Sequence, residues 1–139
     1  MQTFFMLKPD AVARGLENEI FSRVEKSGLK VKEKRLIHMS REEAENLYSV
    51  HAGKPFFEGL VKMIISAPVV VSLIQGDNVI NKIRQLMGAT DPRKAEKGTI
   101  RGDLKEEQIL DINGTIKNLV HGSDSEESFL RESVIFFKE

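Results

Sequence analysis

The sequence predicts a single α+β domain in which helices cover an antiparallel sheet. A chain of 139 residues suffices for one domain with a substantial core. Short β-compatible runs and amphipathic helical runs both occur, but they do not alternate as regularly as a doubly wound parallel sheet requires. The order of elements therefore favours an antiparallel sheet over a parallel one.

The chain begins with a predicted strand, a helix and a second strand. Residues 3–7 are short, apolar and β-compatible, and they stop before Pro9, which cannot extend a strand ladder. Apolar residues at helical spacing over 16–24 predict a helix that ends at Gly28. Residues 31–37 predict a more exposed strand.

Two helices and a buried strand follow. Ser40 and Glu43 make a capping-box pattern at the start of the first helix, because such a pair satisfies two free backbone N–H groups. The apolar residues of 56–65 lie on one helical face. Pro68 separates this helix from 69–74, a continuous apolar run that predicts a buried strand.

The next part of the chain is less regular. A helix is predicted from near Asp77 to Gly88. The aperiodic residues 88–103 predict a long loop, which in a compact domain is often functional. The dipeptide Asn113-Gly114 between β-compatible residues predicts a β-hairpin at about 104–117.

The C-terminal part predicts one more helix and one more strand. Ser123 and Glu126 form a second capping-box pattern, which makes Ser123 the predicted N-cap of a short helix. Residues 134–137 are apolar and β-compatible, and they predict a final strand. The whole order of elements favours a ferredoxin-like fold.

Charge and composition exclude several functions. Twenty-one basic residues balance twenty-one acidic ones, so no overall field attracts nucleic acid or anionic lipid, and neither is expected as a partner. The sequence has no cysteine, which excludes thiol catalysis and thiolate metal sites. No basic leader occurs at the N-terminus, and no apolar run approaches the roughly 20 residues that span a bilayer. We therefore expect a cytoplasmic protein.

His121 has the most informative position of the three histidines. The stretch Asn118-Leu-Val-His-Gly-Ser-Asp-Ser places it just before the predicted helix. The free N–H groups and dipole at a helix N-terminus favour negative charge, so they would stabilise a phosphate on or near this imidazole. By position alone, an ordinary loop histidine is the commoner case. His38 and His51 have no comparable setting, and we assign them no role.

Residues 82–101 contain six cationic side chains and two acidic ones, in a chain of zero net charge. Phosphate is a natural ligand for such a segment, although loop charges are often only solvated. Arg84 and Arg101 are better candidates than the lysines, because a guanidinium contacts phosphate bidentately and stays charged. The sequence contains no P-loop or dinucleotide glycine pattern, so side chains and a metal would hold any nucleotide.

Metal ligands are sparse in the sequence. No Cys or His cluster offers a zinc site. A hard ion such as Mg²⁺ would bind mainly through substrate phosphates, with a carboxylate at most. Asp124 is the candidate for that carboxylate, and helix capping explains it equally well.

Four segments, taken together, resemble the nucleoside diphosphate kinase family. They are Thr3-Phe-Phe-Met-Leu-Lys-Pro-Asp, Lys54-Pro-Phe-Phe with Gly59-Leu-Val-Lys, Gly98-Thr-Ile-Arg-Gly-Asp, and Asn118 through Ser125. The last segment is similar to the family's active-site signature, and the four occur in the family's order over nearly the whole chain. The resemblance changes the interpretation of His121 from a loop histidine to a nucleophile.

The resemblance implies a ping-pong reaction. A nucleoside triphosphate phosphorylates His121, its diphosphate leaves, and a second nucleoside diphosphate takes the phosphate. Mg²⁺ would bridge the phosphates, while positioning and charge neutralisation lower the barrier. The phosphate contacts that it implies come from Lys8, Arg84, Thr90 and Arg101. Lys8 and Asn118 would also lie near the ribose hydroxyls.

The resemblance also gives roles to residues that periodicity assigns elsewhere. Phe56, with Leu60 beside it, would stack on the base, which explains tolerance of every base because each has a π-face. Without the resemblance, Phe56 belongs to the apolar face of a helix. The same comparison implies that Tyr48 lies close to the histidine.

Two further residues are implied to support and orient His121. They are Ser123 and Glu132. From the residues alone, Ser123 is a helix cap and Glu132 a solvated charge. Glu132 follows His121 by eleven positions, so the chain must turn back to bring them together.

The sequence departs from the family pattern in two places. The segment between Asp103 and Asn118 is longer than usual, and we expect the predicted hairpin to be an insertion at the nucleotide mouth or a subunit contact. The chain ends at Glu139, without the longer tail that many relatives use in assembly. The resemblance implies a homo-hexamer, with a tetramer or dimer as the alternatives.

Two other functions stay open from the sequence. One is a binding module of similar fold that holds nucleotide or nucleic acid without turnover. Neutral charge disfavours nucleic acid, which requires a basic face. The other is an oligomeric scaffold without nucleotide affinity.

Overall fold

The computed structural model describes residues 1–137 and contains a four-stranded antiparallel sheet in the order β2-β3-β1-β4. The strands are β1 (Gln2–Leu7), β2 (Lys30–Ile37), β3 (Val69–Gln75) and β4 (Val120–Gly122). All three strand pairings are antiparallel. This order and the helices that cover the sheet confirm the predicted α+β, ferredoxin-like class.

Seven α-helices lie within the described residues. They are α1 (Pro9–Ala13), α2 (Glu17–Lys26), α3 (Arg41–Leu47), α4 (Phe57–Ile65), α5 (Val79–Met87), α6 (Ile100–Leu104) and α7 (Glu126–Phe136). Two single turns of 3-10 helix occupy Ser49–His51 and Pro92–Lys94. No helix among residues 1–137 has the length and apolar character needed to cross a membrane.

The core lies on both faces of the sheet, because side chains of a strand alternate between faces. Phe5 and Leu7 of β1 pack with α2 and α5 on one face. Phe4 and Met6 pack with α3, α4 and α7 on the other. Methionines take part in both layers: Met87 in the first, and Met6 with Met39 in the second.

The predicted elements of the first half occur where the sequence places them. Ser40 Oγ accepts a hydrogen bond from the Glu43 amide, and the Glu43 carboxylate accepts one from the Ser40 amide, so the predicted capping box is confirmed. β2 is mostly exposed and β3 mostly buried, as predicted. The short helix α1 was not predicted.

The predicted final strand is wrong. Residues 134–136 complete α7, and Phe137 is its C-cap. The side chains of Phe129 and Phe136, seven residues apart, both pack against the core layer of Phe4 and Met6. Burial of this helical face overrides the β preference of the local residues.

The predicted N-cap of the last helix is also wrong. Ser125 is the N-cap, and its Oγ accepts a hydrogen bond from the Ser128 amide. The helix therefore starts two residues later than predicted, which releases Ser123 for a contact described below.

The two irregular segments differ from the prediction in opposite ways, since the first contains more regular structure than predicted and the second less. The loop predicted at 88–103 includes the 3-10 turn and runs into α6. Near Asn113-Gly114, one antiparallel bridge joins Leu110 and Ile116, and the Asp111 carboxylate accepts from the amides of Asn113 and Thr115. The chain reverses here as a tight loop with a single bridge rather than as a longer hairpin ladder.

Candidate active site

A cavity of about 870 Å³ opens beside the end of β1 and β4. Its size suits a small-molecule ligand. Eleven of the residues singled out in the sequence line it: Lys8, Tyr48, Phe56, Leu60, Arg84, Thr90, Arg101, Asn118, His121, Asp124 and Glu132. Ser123 is buried behind the wall.

His121 is held by a carboxylate on α7. In the antiparallel register it pairs with Met6 of β1, so it faces the sheet layer that α7 covers. Glu132 Oε1 accepts hydrogen bonds of 2.9 Å from His121 Nε2–H and 2.9 Å from the Ser123 hydroxyl. Helix α7 lies over β4 and β1, and this brings Glu132 into contact with His121 although eleven positions separate them in the sequence.

The hydrogen bond to Glu132 fixes the tautomer of His121. A carboxylate accepts, so the proton of the neutral ring lies on Nε2. Among residues 1–137, no hydrogen bond engages Nδ1. The lone pair of Nδ1 is therefore available as a nucleophile.

Tyr48 packs against the same imidazole. The two rings meet edge to face, with centroids 6.0 Å apart and planes at 82°. Burial, assisted by the negative charge of Glu132, raises the pKa of Tyr48. Its hydroxyl stays protonated at any physiological pH and remains a hydrogen-bond donor.

Lys8, at the end of β1, starts a chain of hydrogen bonds across the cavity. Its Nζ donates to Asn118 Oδ1 at 2.7 Å, and Asn118 Nδ2 donates to the Thr90 carbonyl at 3.0 Å. Lys8 is only 4% exposed. Three residues that are far apart in sequence thus share one polar network.

Burial lowers the pKa of Lys8 from 10.5 to about 8. The carboxylate of Asp10 opposes this shift, the positive charge of Arg101 adds to it, and Asp111 opposes it. With a pKa of about 8, Lys8 is mostly in the ammonium form at neutral pH, so it places a positive charge at the cavity.

This shift predicts a pH-dependent stability. The unfolded chain holds the Lys8 proton more tightly than the folded chain, so between pH 8 and 10.5 unfolding takes up a proton. The free energy of unfolding should rise with pH in that window, by up to about 3 kcal/mol relative to a Lys8→Met variant. Urea unfolding of both proteins from pH 7 to 10 measures this difference. A difference that is constant over the range would contradict the prediction.

Arg101 is committed to main-chain carbonyls. Its Nε, Nη1 and Nη2 donate to the carbonyls of Asn118, Gly88 and Val120, at 3.0, 3.1 and 2.7 Å. Burial, and then the charge of Arg84, lower its pKa to about 10, which still leaves it cationic. The guanidinium both fixes the chain around His121 and places positive charge in the cavity wall.

The close approach of the chain on either side of Arg101 depends on a glycine. A Cβ on Gly102 would lie 2.1 Å from the Glu96 carbonyl oxygen, so no other residue fits without moving the backbone. The Thr99 hydroxyl accepts from the Gly102 amide and caps α6. This close turn directs the Arg101 side chain towards β4.

Arg84 and Thr90 differ from Arg101 in being exposed at the cavity. Arg84 projects from α5, and no hydrogen bond joins its side chain to another group in residues 1–137. Its guanidinium is therefore free to contact a phosphate.

The opposite wall is aromatic. Phe56, at the N-cap of α4, is 50% exposed, and the His51 ring lies 5.2 Å from its ring. Leu60 is half-buried one turn later. A Cβ on Gly59 would lie 2.6 Å from Thr115 Oγ1, so the loop around Thr115 sits directly against this helix.

Comparison with known proteins identifies the family of this arrangement. A family model described as nucleoside diphosphate kinase matches residues 1–139. The chain belongs to the nucleoside diphosphate kinase family. Its members are phosphotransferases that move the terminal phosphate of a nucleoside triphosphate to a nucleoside diphosphate, and this is the function of the chain.

Individual relatives agree over nearly the full chain. A nucleoside diphosphate kinase of Hyperthermus butylicus is 50% identical over 138 residues, which cover 99% of this chain and 92% of the relative. A nucleoside diphosphate kinase of Carboxydothermus hydrogenoformans is 51% identical over 138 residues, which cover 99% of this chain and 88% of the relative. The structure of a halophilic nucleoside diphosphate kinase from Halobacterium salinarum in complex with CDP has a TM-score of 0.89, at 42% identity, over 100% of this chain and 88% of that one.

Nucleoside diphosphate kinases generally use a divalent metal together with their nucleotides. Within residues 1–137, no group of three or more His, Asp or Glu side chains is placed to hold an ion by itself. Asp124 is exposed in the cavity, and the Ser128 hydroxyl donates to its carboxylate and lowers its pKa. This donor set fits an ion that the substrate phosphates hold.

Helix α7 contributes a residue that the sequence analysis did not single out. Arg131 Nη1 donates to the carbonyls of Asn46 and Leu47, at 3.1 and 3.2 Å, while Nη2 donates to Glu132 Oε2 at 3.2 Å. Arg131 thus links α7 to the end of α3 and holds the carboxylate that holds His121. A prediction of 126–136 as one helix would have indicated that Arg131 lies on the same helix as Glu132 and can contact the neighbouring elements.

Proposed function

We propose that His121 carries the phosphate in the reaction of this nucleoside diphosphate kinase. The observation that supports this most is the bond from Nε2–H to Glu132, which leaves Nδ1 unprotonated and open to the cavity. The Nδ1 lone pair forms the bond to the γ-phosphorus, and the bond to the bridging oxygen breaks. The diphosphate leaves with that electron pair, and a second nucleoside diphosphate reverses the step.

Four side chains stabilise the charge on the phosphoryl group in this proposal. Arg84 contacts phosphate directly with its free guanidinium. Arg101 has five N–H groups and uses three for carbonyls, so two are left for phosphate oxygens. Lys8 supplies an ammonium and Thr90 a hydroxyl. Because hydrogen bonds hold Lys8 and Arg101 in place before the substrate binds, these two cations stabilise the transition state with little reorganisation cost.

Three further side chains act on the nucleophile. Glu132 orients the imidazole and stabilises positive charge on it, and the Ser123 hydroxyl fixes the carboxylate. Tyr48 limits the movement of the ring by its edge contact. Its protonated hydroxyl is a donor at the cavity.

The nucleoside occupies the aromatic wall. Its base stacks on Phe56 with Leu60 beside it, and its ribose hydroxyls reach Lys8 and Asn118. A π-face is common to all bases, so stacking alone selects none of them. This arrangement supports a broad range of nucleoside substrates.

Mg²⁺ is the divalent ion in this proposal, held by the nucleotide phosphates and by Asp124 as the single protein carboxylate. When bound, it neutralises phosphate charge. Ser128 and Arg84 both lower the pKa of Asp124, so this side chain is an ionised carboxylate at neutral pH.

The wider organisation is also proposed. We infer a homo-hexamer in the cytoplasm, with tetramer and dimer as the alternative assemblies. We further propose that residues 104–117 are an insertion of this chain. Their contact with α4 at Gly59 supports a place at the nucleotide mouth.

The decisive experiment is to incubate the protein with Mg²⁺ and a γ-labelled nucleoside triphosphate. An alkali-stable, acid-labile label on wild type that moves to an added nucleoside diphosphate supports the proposed intermediate. The same label on a His121→Ala variant, or transfer without any labelled protein, would sink it.

Phe56→Ala is expected to weaken binding of adenine, guanine and pyrimidine nucleotides alike. Loss of a stacked base costs about 1–3 kcal/mol, which corresponds to about 5- to 150-fold in affinity. Titration with nucleoside diphosphates of each base measures the effect, and Phe129→Ala, which removes an aromatic ring outside the cavity, is the control. A loss confined to one base would contradict a stacking role.

A further inference from the structure

Just before His121 the backbone makes an unusually tight turn. The Val120 amide donates to the Asn118 carbonyl at 2.7 Å, and Leu119 between them has a φ of 72°. A three-residue turn of this hand is strained, and a non-glycine residue in the left-handed region adds to the cost. Such a turn persists only when the surrounding structure holds it.

Two residues at the start of α1 hold this turn. The Lys8 amide donates to the Leu119 carbonyl at 2.8 Å, and Asp10 Oδ2 accepts from the Leu119 amide at 3.0 Å. Both main-chain groups of the strained residue are therefore bonded to the same short segment. Only one of these bonds, that of Asp10, is made by a side chain.

The turn determines where the reacting groups lie. Its first residue is Asn118, whose side chain accepts from Lys8 Nζ, and His121 follows two residues after Leu119. A change in the turn therefore moves the histidine and the lysine's partner together.

Asp10 also interacts electrostatically with the buried cations near the turn. Its Oδ1 is buried and has no partner among the described residues. The charge of Asp10 acts on Lys8 and Arg101, in the sense that keeps both cationic. One carboxylate thus holds the backbone with one oxygen and balances buried positive charge.

We propose that Asp10 is a positioning residue for phosphoryl transfer: it holds the strained turn that presents Asn118 and His121, and its negative charge balances the buried positive charge of Lys8. This inference rests on the proposed function of His121 and Lys8. It adds a group that contacts neither the nucleotide nor the imidazole and acts through the main chain and through charge.

Two variants distinguish the hydrogen bond that Asp10 accepts from its negative charge. In Asp10→Asn the amide oxygen still accepts from Leu119, but the negative charge is lost. In Asp10→Ala both are lost. The charged groups that act on Lys8 are Asp10 on α1, Arg101 on α6 and Asp111 on the loop after α6. Without the charge of Asp10, burial and Arg101 still lower the pKa of Lys8, and only Asp111 raises it. The pKa of Lys8 then falls below about 8.

The test is kcat and KM for a nucleoside diphosphate acceptor from pH 6 to 9. In wild type KM rises as Lys8 loses its proton near and above pH 8, and in Asp10→Asn this rise should begin at lower pH, which gives a several-fold higher KM at pH 8. At pH 6, Asp10→Asn should keep kcat within about threefold of wild type, whereas Asp10→Ala loses about 10- to 100-fold at every pH.

A matched control is Asp103→Asn, because Asp103 also accepts from a backbone amide, that of Gly98, but does not line the cavity. Its KM against pH should match wild type. An Asp10→Asn profile that matches wild type, or equal kcat for Asp10→Asn and Asp10→Ala at pH 6, would overturn the proposal even if Asp10→Ala is unstable. Absence of phosphorylated wild type would instead refute the proposed function, and this is measured separately by the labelling experiment.

Discussion

A His121→Ala variant is expected to lose at least about 10⁴-fold in kcat while it still folds and binds nucleotides. Removal of a nucleophile eliminates the covalent route, and such losses reach about 10⁶-fold in other enzymes. Lys8, Arg101 and Phe56 do not depend on the imidazole for their positions, because their contacts are with other groups. Nucleotide affinity should therefore stay within a few-fold of wild type.

The matched control for this prediction is His51→Ala. His51 lines the same cavity and contacts the rings of Tyr48 and Phe56, and burial together with Lys54 lowers its pKa. Among residues 1–137 no carboxylate bonds its ring as Glu132 bonds that of His121, so His51 should not be phosphorylated. Stopped-flow transfer assays and titration calorimetry on the two variants decide the matter. Turnover of His121→Ala at a rate near wild type would show that another group takes the phosphate.

Arg101→Met should reduce both stability and activity. It leaves the carbonyls of Gly88, Asn118 and Val120 without the donor that a buried guanidinium supplies. Buried polar groups without partners cost about 1–3 kcal/mol each, so we expect the free energy of unfolding to fall by about 3 kcal/mol or more. Loss of a preorganised cation should also reduce kcat by about 100-fold or more.

Arg84→Met distinguishes the loss of activity from the loss of stability. Arg84 is exposed and has no hydrogen-bonded partner within residues 1–137, so its removal should weaken nucleotide binding and transfer with less than about 0.5 kcal/mol change in stability. Chemical denaturation and steady-state kinetics on both variants provide the comparison. Equal loss of stability in the two would contradict the structural role assigned to Arg101.

Periodicity and capping chemistry were enough for most of the fold. The short apolar run of β1, the continuous apolar run of β3 and the capping box at Ser40 are local signals, and each has a local physical cause. A last helix was predicted, but its extension through 134–136 was missed because residues 134–137 are apolar and β-compatible. The helical conformation of these residues is favoured by tertiary packing, because it places Phe129 and Phe136 together against the sheet.

The positions of the site residues followed from motifs, but their contacts did not. Nothing in the spacing of His121, Ser123 and Glu132 shows that one carboxylate oxygen joins all three. That arrangement depends on the return of α7 over the sheet. The commitment of Arg101 to carbonyls was equally hidden, because it requires the close turn at Gly102 and the main chain of β4.

The buried methionines make oxidation a reporter of core opening. Peroxide converts accessible methionines to sulfoxides, and of the five in this chain Met1 is 66% exposed while Met6, Met39, Met63 and Met87 are at most 7% exposed. Sulfoxide at the buried four requires that the packing opens first. Met87 lies in one core layer and Met6 and Met39 in the other, so mass spectrometry of oxidised peptides can time the opening of each face of the sheet separately.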